Sequence, residues 1–249
     1  METTNTEIYS RSELLLGSEA MQRLNRARVL MIGIGGVGSW CAEALVRTGV
    51  THITIADPDK VAPTNINRQR VATTDTVGRP KVEVLRDILL SINPNAEINA
   101  LQTPFTRETA ESFNFADYDC VVDAIDSLQH KAALILYATT FPKSVGFFSS
   151  MGAALKFDAG RIQVAEFWDV NGCPLAATLR RRFRRAKTFP ARKFLCVFSD
   201  ELLENKGTPG STDSADFFRK ASTNGSLMHI TASFGLRLAQ LVLSHLLKP

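Results

Sequence analysis

Between Gly33 and Asp126 the chain gathers residue types suited to handling a nucleotide. Gly33-Ile34-Gly35-Gly36-Val37-Gly38 contains the pattern GxGxxG. Where such a run leaves a strand and opens a helix, the glycines allow a tight turn and a close approach of backbone to phosphate. The helix end adds unpaired N–H groups and positive potential. Asp57 lies 19 residues beyond Gly38, where a carboxylate grips ribose hydroxyls. Lys81 follows Pro80 in the first turn of an expected helix, where a cation opposes the helix dipole by roughly 0.3–1 kcal/mol. A phosphate faced by both the lysine and the helix end would remove that conflict. Asp126 follows the apolar run Cys120–Ile125, at the carboxyl edge where parallel sheets bind ligands. A carboxylate beside a triphosphate would hold magnesium. Asp123, inside the run, reads as structural. These features by themselves leave NAD, FAD and ATP open.

The elements that must position these residues follow from periodicity. Short apolar runs at 28–33, 52–57, 98–101 and 118–125 predict strands, and 18–27, 37–48, 80–92 and 129–140 predict helices. Trp40, Cys41, Ala44, Leu45 and Thr48 would share one face of the 37–48 helix. Val82, Leu85 and Leu89 would form the inner face of the 80–92 helix. This alternation predicts an α/β fold: a doubly wound, mostly parallel, Rossmann-like sheet. Beyond residue 143 a C-terminal extension of mixed strands and helices is expected. It has a strand at 145–149, a hairpin of 154–157 and 162–167 about Asp158-Ala159-Gly160, and a helix over 174–186. That helix carries Leu175, Leu179 and Phe183 on one face. Residues 204–226 read as a loop. The apolar tail Leu227–Leu247 reads as a buried or interface helix, with a peripheral membrane-surface position as the minor alternative. The 249 residues are expected to form a single domain, with a nucleotide-binding half (1–142) and a substrate and dimer half (143–249).

Charge is unevenly placed. The chain has 29 basic and 25 acidic residues. Eight of the basic ones fall in Arg180–Lys193, RRRFRRAKTFPARK, without an acid among them. The rest of the chain is net acidic, so this segment points to a polyanionic partner. Arg180, Arg181, Arg184 and Arg185 lie off the apolar face of the 174–186 helix and are the candidate RNA-binding residues, with Phe189 able to stack on a base. No apolar run is long enough to span a membrane. The polar, acidic N-terminus is unlike a secretion signal, and the four dispersed cysteines fit a reduced cytoplasm. Cys41, Cys120 and Cys196 fall in apolar settings and read as core.

GIGGVGS, IADPDKV, TNINRQ, VGRPK and VDAIDS occur in this order over residues 33–127. Together they resemble the ubiquitin-activating-like (ThiF/MoeB/HesA) adenylating family. The resemblance implies ATP, with magnesium, as the nucleotide. Gly33, Gly35, Gly36 and Gly38 would approach the phosphates, and Asp57 and its neighbour Asp59 would lie at the ribose side. Asn65, Arg68, Gln69 and Lys81 would surround the triphosphate, and Asp126 would support the metal. Tyr9-Ser10-Arg11 resembles the family's N-terminal segment, whose arginine reaches the ATP of a neighbouring subunit, so a homodimer is implied. Members that activate sulfur-carrier proteins carry paired CxxC motifs for zinc. This chain has none, so zinc is not expected, and activation of a carrier protein is the alternative reading. YSRSELLLG, KAALI and CVFS instead resemble the subgroup that uses ATP to dehydrate and cyclise a modified adenosine beside the tRNA anticodon. A sulfur-transfer protein partner stays open.

Overall fold

The computed structural model describes residues 5–207 and 224–248. Seven strands form one sheet in the order β3-β2-β1-β4-β5-β7-β6. They are β1 (Arg28–Ile32), β2 (His52–Ala56), β3 (Glu97–Leu101), β4 (Cys120–Asp123), β5 (Gly146–Ser150), β6 (Ile162–Glu166) and β7 (Leu195–Ser199). All neighbours pair in parallel except β6 with β7. β1, β2 and β4 run as short apolar stretches because both faces of the sheet are covered there, the condition under which parallel strands lose polar alternation; the edge strand β3 stays partly exposed. Strands from both halves of the sequence share this one sheet.

The helices are α1 (Asn5–Leu16), α2 (Ser18–Arg26), α3 (Gly38–Thr48), α4 (Lys81–Ile92), α5 (Leu128–Ala138), α6 (Pro174–Ala186) and α7 (Met228–Leu246). Successive residues of β1 point to opposite faces. Val29 and Met31 join a core with α3, α4 and α7, and Leu30 and Ile32 join a second with α5 and α6. The expected inner face of α4 is buried as read: Val82, Leu85 and Leu89 are inside. α3 departs from its single expected face. Ala42 and Val46 are also fully buried, because α7 lies beside α3 on the same face of the sheet and packs against it. The two helices approach closely at Gly235, where an added Cβ would lie 2.5 Å from the Val37 carbonyl oxygen. The tail is therefore a core helix: Ile230, Phe234, Leu238 and Val242 are fully buried at a spacing of four. Among the described residues no helix is long and apolar enough to cross a membrane.

The expected hairpin at 154–167 does not form. Leu155 has a left-handed backbone (φ 60°), which interrupts an extended strand. The Phe157 and Asp158 N–H groups donate to the Glu201 carboxylate at 2.8 and 2.9 Å, so no ladder partner is left for them. β6 pairs with β7 instead, from Ile162 against Ser199 to Glu166 against Leu195. α1, for which the sequence reading assigned no element, is pinned by Tyr9, whose hydroxyl donates to the Val46 carbonyl at 2.9 Å and accepts from Asn93 at 2.9 Å. Most of the 204–226 loop lies outside the described residues.

Candidate active site

The sheet order places the topological switch between β1 and β4, and a cavity of about 320 Å³ lies beyond the carboxyl ends of these strands. Ligands of open parallel sheets bind there because the βα loops diverge at that point. The glycine loop closes it by two kinds of contact. Gly33 has φ +95°, and a Cβ on it would lie 2.7 Å from the Ala124 carbonyl. A Cβ on Gly38 would lie 1.9 Å from the Gly33 carbonyl oxygen. These two glycines serve the close packing of loop, strand and helix. Gly35 differs: a Cβ there would meet only the Gln69 amide nitrogen, at 3.9 Å, and Gly35 and Gly36 line the cavity. Theirs is the backbone a ligand can approach. Ser39 in the first turn of α3 donates to the Gly35 carbonyl at 2.6 Å and accepts from the Arg70 N–H at 3.3 Å. The loop is thereby tied to the 65–70 segment.

Asp57 leaves β2 into the same cavity. Its carboxylate accepts from the Ile34 N–H at 2.6 Å and from the Asp59 N–H at 2.9 Å. Burial raises its pKa; the Lys81 ammonium and the two backbone donors pull it down, while Asp59 pushes it up. Residues 59–61 clamp onto the start of α4: the Lys81 N–H donates to the Asp59 carbonyl at 3.0 Å and the Val61 N–H to that of Arg79 at 2.9 Å. This puts Lys81, 4% exposed, with its Nζ 2.9 Å from Asp59 and 4.0 Å from Asp57. The cation at the helix N-terminus is thus neutralised by two carboxylates. It is also far more buried than a bordering lysine would be.

Asn65, Arg68 and Gln69 come from the turn after Pro63 and line the same space. Asn65 is buried, and its Oδ1 accepts from the Ala62 N–H at 3.0 Å, which fixes the turn. The Arg68 guanidinium donates to the Thr64 carbonyl and Asn67 Oδ1, both at 2.9 Å. The Arg68 carbonyl is held in turn by the Trp40 indole N–H at 3.2 Å and the Thr231 hydroxyl at 3.4 Å. Gln69 Oε1 is buried with no hydrogen-bond partner among the described residues. An unsatisfied buried acceptor costs about 1–3 kcal/mol, and at a cavity wall it suits a ligand donor. Asp126 is exposed and lines the opposite wall, beyond β4. Beneath it, Asp123 forms a fully buried ion pair with Lys131 at 2.7 Å, and the Ser149 hydroxyl donates to Asp123 at 2.7 Å. The second Asp123 oxygen accepts from the Ile125 N–H at 3.0 Å, which anchors the loop that carries Asp126. Among the described residues no group of three or more His, Cys, Asp or Glu side chains could hold a metal. A magnesium ion brought by nucleotide phosphates needs only one or two protein carboxylates, and Asp126 fits that need.

The cavity therefore gathers Gly33, Gly35, Gly36, Asp57, Asp59, Asn65, Arg68, Gln69, Lys81 and Asp126 from separate parts of the chain. Gly38 does not line it; it packs against Gly33. Arg11 is exposed on α1 and is not among the lining residues. The arginines of α6 divide. Arg180 donates to the Phe167 carbonyl at 3.0 Å, and Arg184 lies 5.6 Å from the centre of the Trp168 ring. Arg181, Arg184 and Arg185 are exposed. Of the four, Arg180 departs from the expected surface position: it is half-buried and bonds to the protein's own backbone. Leu175 is also only half-buried; Ala176, Leu179 and Phe183 form the inner face.

Sequence reasoning missed several lining residues: Ser150 to Ala154, Leu175 and Thr231. They follow β5, open α6 and begin α7, and no motif marks them. It also missed Arg182, which borders a second cavity of about 310 Å³ with Arg107, Gln129 and His130. All four cysteines are free and buried. Burial pushes the Cys196 thiol well above its usual range, with Lys131 opposing, so it is no candidate for a thioester nucleophile.

A glycine-rich turn at the switch point of a doubly wound sheet, with an acid after β2 and a polar cavity above, defines the class of nucleotide-binding α/β proteins. Within that class the chain belongs to the ThiF family, matched over residues 9–188. It is 38% identical over 193 residues to the tRNA threonylcarbamoyladenosine dehydratase of Bacillus subtilis, covering 78% of this chain and 74% of that one. It is 35% identical over 246 residues to the enzyme of the same name from Escherichia coli, covering 94% and 90%. The crystal structure of the Escherichia coli enzyme in complex with ATP superposes with a TM-score of 0.81 at 33% identity, covering 97% of this chain and 93% of that one.

Proposed function

We propose that the protein is an ATP-dependent dehydratase acting on threonylcarbamoyladenosine beside the tRNA anticodon. It adenylates the carboxylate of the modification and cyclises it, with release of AMP and pyrophosphate. The observation that carries this reading is the match along nearly the whole chain to an enzyme of that name solved with ATP. The cavity supplies the chemistry. A carboxylate is a poor electrophile, and its approach to the α-phosphate brings anions together. Lys81, already held at the wall by Asp59, and Arg68 would offset that repulsion as charge develops. Gln69 Oε1 would accept a hydrogen bond from the nucleotide. Magnesium, when bound with ATP, would sit at Asp126 and draw charge from the phosphates. In the second step a nitrogen of the same substituent attacks the activated carbonyl and AMP leaves. That attack is intramolecular, so positioning supplies much of the rate without an enzyme nucleophile.

The reading is tested by incubating the protein with ATP and tRNA carrying threonylcarbamoyladenosine, then measuring nucleoside masses. The expected product is lighter by one water. Unchanged nucleoside, with AMP release seen only in the presence of a sulfur-carrier protein, would replace the reading by carrier activation.

The protein is proposed to act in the cytoplasm as a homodimer in which Arg11 serves the partner's cavity. Arg11 is exposed on α1, which also projects Leu14 and Leu15, 87% and 83% exposed. Mixing Arg11→Ala with Asp126→Ala protein, each inactive alone, should restore up to about a quarter of wild-type activity once subunits exchange, because hybrid dimers regain one intact site. No recovery despite demonstrated exchange would remove this role. The outward Arg181 and Arg185 are proposed to contact tRNA phosphates.

A further inference from the structure

We propose that Trp168 and Phe189, with the Arg184 guanidinium against Trp168, form a stacking platform for an unpaired base of an RNA substrate. This rests on the tRNA reading above. Trp168 follows β6 and is half-buried, its ring edge-on to Phe167 with centres 5.2 Å apart. Phe167 is fully buried and stacked on Phe194 at 5.1 Å and 16°, so Trp168 has a rigid backing. Its backbone N–H donates to the Glu166 carboxylate at 2.9 Å. Phe189 arrives from the other end of α6. Lys187 ends the helix with a left-handed backbone (φ 50°), and the Thr188 N–H returns to the Phe183 carbonyl at 3.1 Å. The chain turns back and sets the Phe189 ring 6.2 Å from Trp168 while leaving it 54% exposed.

Exposing an aromatic ring forgoes the free energy of burying it, and here the ring is surrounded in sequence by cations. Arg181, Arg185, Lys187 and Lys193 are exposed, and the whole Arg180–Lys193 segment lacks an acid. Aromatic faces interleaved with cations suit a nucleic acid, whose bases stack while its phosphates pair. The base must be unpaired, because bases of a duplex are already stacked on one another. Position agrees. Leu175 of α6 lines the nucleotide cavity, and Arg184 is nine residues further along α6, about 13 Å at 1.5 Å per residue. That is about four stacked bases at 3.4 Å each. A strand whose reacting nucleotide enters the cavity would carry its near neighbours across the platform.

The test compares wild type with Trp168→Ala, Phe189→Ala and Trp168→Phe in binding two RNAs, the anticodon stem-loop and a fully paired duplex of equal length. Each alanine variant should bind the stem-loop about 5- to 100-fold more weakly, as expected for one lost base–aromatic stack. Duplex binding, ATP binding and the slope of log affinity against log salt should be unchanged, since no phosphate contact is removed. Trp168→Phe should recover most of the affinity. Should an alanine variant fail to fold, fluorescence decides: the stem-loop should quench wild-type tryptophan emission, and this quench should vanish in Trp168→Phe, leaving that of Trp40. Stem-loop affinity equal to wild type in both folded alanine variants, or a quench unchanged in Trp168→Phe, would overturn the platform. With tRNA cyclisation intact, either result would leave the patch to a protein partner. If wild type neither binds nor cyclises tRNA, the tRNA reading itself falls.

Discussion

Asp126→Ala protein should fold normally, bind tRNA, and form the acyl adenylate about 100- to 1,000-fold more slowly than wild type, the loss typical of one electrostatic stabiliser in an active site. Asp126 is exposed, and surface substitutions usually change stability by no more than about 0.5 kcal/mol. Lys81→Ala should lose a similar factor in rate, with a further cost. Lys81 is buried between Asp57 and Asp59, and its removal leaves two carboxylates facing one another. Breaking a buried pair costs about 3–5 kcal/mol; Asp59 keeps some solvent, so the loss should fall below that range. The two variants thus separate the roles: similar defects in pyrophosphate exchange, but a lowered melting temperature for Lys81→Ala alone. Near-wild-type exchange in Asp126→Ala at saturating magnesium would remove Asp126 from the reaction.

Lys131→Met should be the most destabilising of the substitutions considered, by about 3–5 kcal/mol, because it leaves the fully buried Asp123 carboxylate without its countercharge. Ser149 still donates to that oxygen, which keeps the loss from being larger. Urea unfolding reads the change as a lower midpoint at constant slope. Converting Asp123 to Asn in the same chain should return part of the loss, since a neutral amide no longer needs the ammonium. A Lys131→Met midpoint within error of wild type would show that the pair contributes nothing net to stability. The same pair underlies the loop bearing Asp126, so a milder variant, Ser149→Ala, should lower adenylation through the loop with little change in ATP affinity.

The nucleotide loop, the first five strands and helices α2 to α5 were legible in the sequence because their signals are local. GxGxxG sits between an apolar run and a helical period, and Asp57 and Asp126 each follow a strand; their distance from the turn is set along the chain. α6 was read to its last residue because Pro174 opens it and Leu179 and Phe183 keep its period. Periodicity tells which face is buried, not what covers it. Only the tertiary structure decided that Lys81 meets Asp59, that Thr231 of α7 reaches the Arg68 carbonyl, and that α7 packs closely against α3 at Gly235. It also decided that β6 chooses β7 over a local hairpin, because Glu201 satisfies backbone donors that a ladder would have used. The arginines of α6 show the same division. Their positive charge is a property of the sequence, but which of them engage the protein's own carbonyls and rings depends on Phe167 and Trp168, brought to the helix where Phe167 packs against Phe183.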